Sequence, residues 1–147
     1  SFLIQTFVVE GQSMEPNFYN GQYLIIDELS YQFREPRRGE VVVFRYPLNP
    51  SDFFIKRLVG LPGETIKIKN GGITVNDKLL VEQYIAAQLE TNPDVQITLK
   101  DNEYFVLGDN RPQSSDSRFW GALPKNKIMG RALIRLWPIA KAGLLIK

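Results

Sequence analysis

Hydrophobic positions along the 147-residue chain fall in short runs, several alternating with polar ones, and each run is bounded by Gly, Pro, Asn or Asp. A period of two marks an extended chain, whose successive side chains point to opposite faces. The runs predict strands at 4–9, 22–27, 40–46, 53–60, 65–69, 72–75, 96–99, 104–107 and 129–136. IKIKNGGITV reads as a hairpin, because Asn70, Gly71 and Gly72 tolerate a positive φ. A second tight turn is expected at Asn76-Asp77. Helical periodicity is weak: one short helix is expected over 81–89, and Pro124 is expected to open a helical turn over 124–128. The pattern predicts a mainly β fold, a coiled and largely antiparallel sheet or a barrel-like one. Residues 65–100 are richer in hairpin and polar-loop signals. They predict a small inserted β-hairpin lobe within a domain made of 1–64 and 101–147.

One strand breaks its own pattern. In DFFIKRLVG, Phe54, Lys56 and Leu58 share a face, with Phe53, Ile55, Arg57 and Val59 on the other. Lys56 thus sits between two large apolar neighbours, although an unpaired buried ammonium is costly. Either its stem packs and its head reaches water, or its surroundings keep it neutral, since desolvation lowers an amine's pKa.

Composition sharpens that choice. The chain is 44% hydrophobic and 23% charged, as expected of a folded domain rather than a disordered one. Its net charge is +2, with both signs interleaved, which argues against a nucleic-acid partner. It has no cysteine, so disulfides and thiolate chemistry are excluded, and no histidine, so the usual imidazole base is too. Acid–base chemistry near neutral pH then falls to a carboxylate or a lysine. The opening SFLIQTFVVEG is far shorter than a membrane span, which takes about 20 residues, and no later run is long enough.

Two further blocks carry chemistry. EGQSMEPNF, residues 10–18, places Ser13 after an apolar strand. Alone it reads as a turn serine, or as a nucleophile with backbone N–H groups near enough to hold an oxyanion. Gly11 would admit a substrate backbone closely. GDNRPQSSDSRFWG, residues 108–121, reads as a polar loop in which Asp109 and Asp116 pair with Arg57, Arg111 or Arg118. Its serines are suited to orient a neutral amine, whereas a carboxylate beside the amine would recharge it.

Together the three blocks resemble bacterial type I signal peptidase (leader peptidase). The resemblance rests on Ser13-Met14-Glu15-Pro16, on FIKRLVG continuing into LPGE, and on the complete box from Gly108 to Gly121, in that order and spacing. It implies a membrane-associated serine endopeptidase that removes N-terminal signal peptides from exported preproteins and needs no cofactor or metal. It implies that Ser13 is the nucleophile, with its own backbone N–H holding the oxyanion, and that Lys56 is the general base. By the same resemblance Ser114 orients the lysine amine, Asp116 and Arg118 support the loop, and Asp109 partners Arg57. Phe7, Val9 and Ile55 fall where the family lines its P1 and P3 pockets for small side chains, beside Gly11. Some members carry a serine at the Gly11 position, and the larger members have a longer inserted lobe. The implied partners are signal peptides and the lipid surface, with Phe2, Leu3, Phe18, Tyr19 and Trp137 as an apolar edge. The implied location is the extracytoplasmic face of the bacterial plasma membrane, or the plastid thylakoid, with a membrane anchor expected before Ser1. The rival readings are a self-cleaving Ser-Lys regulator protease and an inactive β-domain that binds peptide or lipid.

Overall fold

The computed structural model describes residues 4–145, so Phe2 and Leu3 of the expected lipid edge lie outside the described residues. The strands are β1 (Ile4–Val8), β2 (Tyr23–Asp27), β3 (Val41–Tyr46), β4 (Asn49–Gly60), β5 (Thr65–Lys69), β6 (Gly72–Val75), β7 (Lys78–Leu79), β8 (Val95–Thr98), β9 (Glu103–Leu107), β10 (Leu123–Pro124), β11 (Ile128–Trp137) and β12 (Gly143–Leu144). The fold is mainly β and antiparallel, as the period-two runs predict. The expected hairpins close where both turn residues have positive φ. Asn70 and Gly71 sit at 52° and 81°, and Asn76 and Asp77 at 49° and 66°. The turn at Pro124 is a short 3-10 segment, Lys125–Lys127.

Two differences from expectation have physical causes. Strands β7, β10 and β12 have two residues each, too few to show a period. Residues 81–89 form no helix. Their polar groups bond to distant segments instead, the Glu82 carboxylate to Arg111 and the Tyr84 carbonyl to Asn17. Tertiary bonds here override a weak helical preference.

Eight strands form an open sheet in the order β1-β2-β11-β3-β4-β9-β10, with β12 paired to β11. A second sheet of four runs β7-β6-β5-β8. Among the described residues β1 stands at the edge of the large sheet, paired with β2. β4 lies between β3 and β9, with Val42 opposite Lys56 and Leu107 opposite Arg57. A central strand covered on both faces needs apolar residues on both, and β4 supplies them. Ile55 enters a cluster with Val9, Met14, Phe18, Leu24 and Ile26. Leu58 and Phe54 pack with Val42, Phe44 and Tyr104. Val59 joins Ile66, Ile73, Phe105 and Leu107 where the two sheets meet. Phe18, expected on the lipid edge, is 3% exposed and belongs to the first cluster. Its ring packs in that apolar cluster, with the Arg135 guanidinium carbon 5.1 Å from its centroid.

The junction of the sheets depends on Gly60. A Cβ there would come within 2.8 Å of the Ile66 side chain and of Phe105 Cβ. Gly60→Ala is therefore expected to cost about 1–3 kcal/mol, as overpacking does. A lower urea midpoint with unchanged slope is the measurement that checks it.

Candidate active site

The pair that the sequence singled out is brought together. β4 carries Lys56 inward, and the turn after β1 presents Ser13, with Lys56 Nζ 2.9 Å from Ser13 Oγ. Lys56 is 5% exposed, its Nζ lying 5.0 Å from the centroid of the Phe54 ring. Burial pushes its pKa down to about 8, against a smaller upward pull from the Asp116 carboxylate. An amine in that state is about half neutral near pH 8 and largely neutral about one pH unit higher. It then accepts a hydrogen bond from the serine hydroxyl rather than donating one.

The serine turn is fixed from behind by the 108–121 loop. The Asn110 N–H donates to the Ser13 carbonyl at 2.8 Å, and the Asn110 amide donates to the Gln12 carbonyl at 3.0 Å. The Asp109 N–H reaches the Met14 sulfur at 3.4 Å. Gly108 makes this approach possible. A Cβ on it would fall 2.1 Å from Ser114 Oγ and 2.6 Å from the Ser13 carbonyl oxygen. Gly11 has φ 81°, a conformation that glycine adopts without strain. Among the described residues none accepts a hydrogen bond from the Ser13 backbone N–H.

The ion pairs within and around the loop are resolved individually. Arg57 donates to both oxygens of Asp109, at 3.2 and 2.6 Å, and Asn17 adds a third bond at 2.8 Å. Arg118 likewise donates to both oxygens of Asp116, at 2.8 and 2.9 Å. Arg111, left open between the two aspartates by the sequence, binds neither. It pairs with Glu82 at 2.6 Å. The Ser114 hydroxyl donates to Asp116 Oδ2 at 2.8 Å, so the described bond of Lys56 is to Ser13 rather than to Ser114. A carboxylate is the stronger acceptor for that proton, and the Ser114 oxygen keeps a lone pair.

Phe7 and Val9 point to the same face of β1, and Val9 and Ile55 belong to one cluster with Phe7 packed against it. A cleft of about 410 Å³ lined by residues that include Gln5, Glu28, Arg45, Phe53, Lys125 and Met129 contains neither Ser13 nor Lys56. Among the described residues no group of acidic side chains is placed to hold a metal ion, and no helix is long and apolar enough to cross a membrane. Sequence reasoning missed Asn17, Glu82 and Tyr84. The one available signal was that Arg111 would need an acid, and spacing does not choose among the acids of the inserted segment.

The family described as signal peptidase, peptidase S26, matches residues 1–137. The chain is 44% identical to the probable signal peptidase I-2 of a Synechocystis strain, over 97% of this chain and 69% of that protein. It is 40% identical to the signal peptidase I of Leptolyngbya laminosa, over 95% of this chain and 74% of that protein. The crystal structure of a signal peptidase I from Enterococcus faecalis superposes with a TM-score of 0.59 at 31% identity, covering 67% of this chain and 97% of the other.

The depressed pKa of Lys56 has a consequence for stability. Between about pH 8 and 10.5 the unfolded chain binds more protons than the folded one, so stability rises with pH through that window. Below it the folded protein bears the full cost of a buried ammonium, about 3 kcal/mol. Lys56→Met should raise the melting temperature at pH 7, and the gain should fade as pH approaches 10.5. Thermal melts at several pH values check this.

Proposed function

The chain belongs to the signal peptidase family, peptidase S26, and we propose that its endoproteolytic removal of signal peptides from exported preproteins is carried out by Ser13 and Lys56. The observation that supports this assignment is the 2.9 Å separation of Ser13 Oγ from an amine that is 5% exposed. Neutral Lys56 takes the hydroxyl proton as Ser13 Oγ attacks the scissile carbonyl carbon. The Ser13 N–H donates to the oxyanion that forms. Lys56, now an ammonium, passes its proton to the leaving nitrogen as the C–N bond breaks. Water then attacks the acyl-enzyme ester, Lys56 accepts its proton, and Ser13 leaves with that proton restored.

The substrate binds extended, lying along β1 at the edge of the sheet and running past Ile55 of β4. Small side chains at P1 and P3 reach toward Phe7 and the buried Val9 and Ile55 beneath it, and Gly11 lets the substrate backbone close in. Asp109, Asp116, Arg57 and Arg118 hold the loop, and Ser114 offers its free lone pair to the lysine amine. In this reading residues 65–100 are a lobe inserted into the catalytic domain.

The catalytic face meets a membrane on its extracytoplasmic side. Val8, Tyr23 and Trp137 stand in register across β1, β2 and β11 and are 44%, 48% and 51% exposed. With Tyr19 they form an apolar edge whose tyrosine and tryptophan suit the bilayer interface.

Three measurements bear on these assignments. Ser13→Ala and Lys56→Arg should each lower preprotein cleavage roughly 10³-fold or more, since arginine keeps the charge but does not act as a base. The acid limb of kcat/KM should have its midpoint near pH 8, as set by the buried amine; retained cleavage in either variant removes the assignment. Trp137→Ser should weaken partition onto phosphatidylglycerol-containing vesicles about tenfold while leaving cleavage of a soluble peptide unchanged. Equal partition of variant and parent removes the lipid edge.

A further inference from the structure

Behind the Ser13–Lys56 pair three segments distant in sequence converge: the serine turn, the 108–121 loop, and the long connection of residues 80–94 between β7 and β8. That connection has no regular structure. It is tied down mainly by polar bonds to the other two. The Glu82 carboxylate accepts from both terminal nitrogens of Arg111, at 2.9 and 2.6 Å, and the Thr91 hydroxyl accepts from Arg111 at 2.6 Å. Arg111 in turn donates through Nε to the Gly108 carbonyl at 2.7 Å. Arg118 donates to the Asn92 carbonyl.

The contacts nearest the chemistry come from Tyr84 and Asn17. The Arg57 guanidinium carbon lies 4.1 Å from the centroid of the Tyr84 ring, and the Tyr84 hydroxyl donates to Glu82 at 2.6 Å. The Asn17 side-chain amide donates both to the Tyr84 carbonyl at 2.6 Å and to Asp109 at 2.8 Å. Arg135 of β11 donates to the Asn17 carbonyl. Asn17 lies in the serine turn, and Arg57 directly follows Lys56. The connection therefore grips one residue close to each member of the pair.

We propose that the 80–94 connection is a clamp on the catalytic pair, with Asn17, Tyr84 and Glu82 as positioning residues that hold Ser13 and Lys56 at bonding distance. This rests on the reading of Ser13 and Lys56 given above and assigns the second sheet a part in it. The clamp acts through geometry. Glu82 and Arg111 are buried, with 5% and 0% of their side chains exposed, so the joint resists bending. A displacement of a reacting group by about 1 Å costs about 10²-fold in rate. Among the described residues, the charge that raises the Lys56 pKa is Asp116, held by Arg118; β3 presents Val42 opposite Lys56, and its own strand presents Phe54.

The test uses the full chain carrying Asn17→Leu, Glu82→Gln or Glu82→Asp, each first shown to be folded by near-ultraviolet circular dichroism. Lys56 is labelled with limiting acetic anhydride across a pH series and quantified by mass spectrometry. In the parent protein labelling should be slow, with a midpoint near 8. In Asn17→Leu and Glu82→Gln, labelling should rise at least about fivefold and the midpoint should move toward the value of free lysine, as water reaches the amine. Turnover should fall about 10- to 100-fold with KM changed less than about threefold. Glu82→Asp, which keeps the charge, should restore part of both. Unchanged labelling and midpoint in a folded Asn17→Leu or Glu82→Gln protein overturns the clamp, whatever its turnover. Labelling does not depend on proteolysis, so a parent protein inert toward preproteins defeats the activity assignment alone.

Discussion

The structure depends on one requirement: a primary amine must lose its water without gaining a carboxylate. Lys56 loses its water to β3 and β9 on either side of its strand and to the Phe54 ring beside it. The second half is harder, because the 108–121 loop brings two buried aspartates close by. The solution is arithmetic. Asp109 is matched by Arg57, Asp116 by Arg118, and Glu82 by Arg111. With each acid held by its own guanidinium, the amine is left a hydroxyl as its bonded partner. Asp116 still draws its pKa upward, but less than burial draws it down.

These pairs are weak evidence for stability, since desolvating two charges offsets most of their attraction. Their value is geometric. Planar guanidiniums bound at two points fix direction as well as distance. Both Arg57 and Arg118 are bound in that way, and so is Arg111. The loop they order carries the Asn110 bonds that set the serine turn. Gly108, where no side chain would fit, lets that loop come close enough.

Much of this was legible in the sequence, for reasons that particular residues make clear. Strand periodicity placed β1 to β6 and the later long strands, because each buries a face. Asn70-Gly71 and Asn76-Asp77 announced their turns, because few other residues take a positive φ. Lys56 stood out as a charge at an apolar position, and the absence of histidine turned that oddity into a candidate base. What stayed hidden is non-local. Arg111 and Glu82 are 29 positions apart, and no local pattern selects that acid over its neighbours. The absence of a helix over 81–89 has the same origin. Phe18 was expected on a lipid-facing edge, yet it packs in a core cluster that includes Ala132 of a strand more than a hundred residues later.

The strand order of the large sheet carries a consequence for synthesis. β11 lies between β2 and β3, although it follows both by most of the chain. A ribosome therefore releases β2 and β3 long before the strand that joins them exists. Until residues 128–137 emerge, two unsealed strand edges wait, and such edges attract foreign strands as readily as native ones. The same delay withholds the Arg135 contact to the serine turn, so that turn gains its last support only after β11 has emerged.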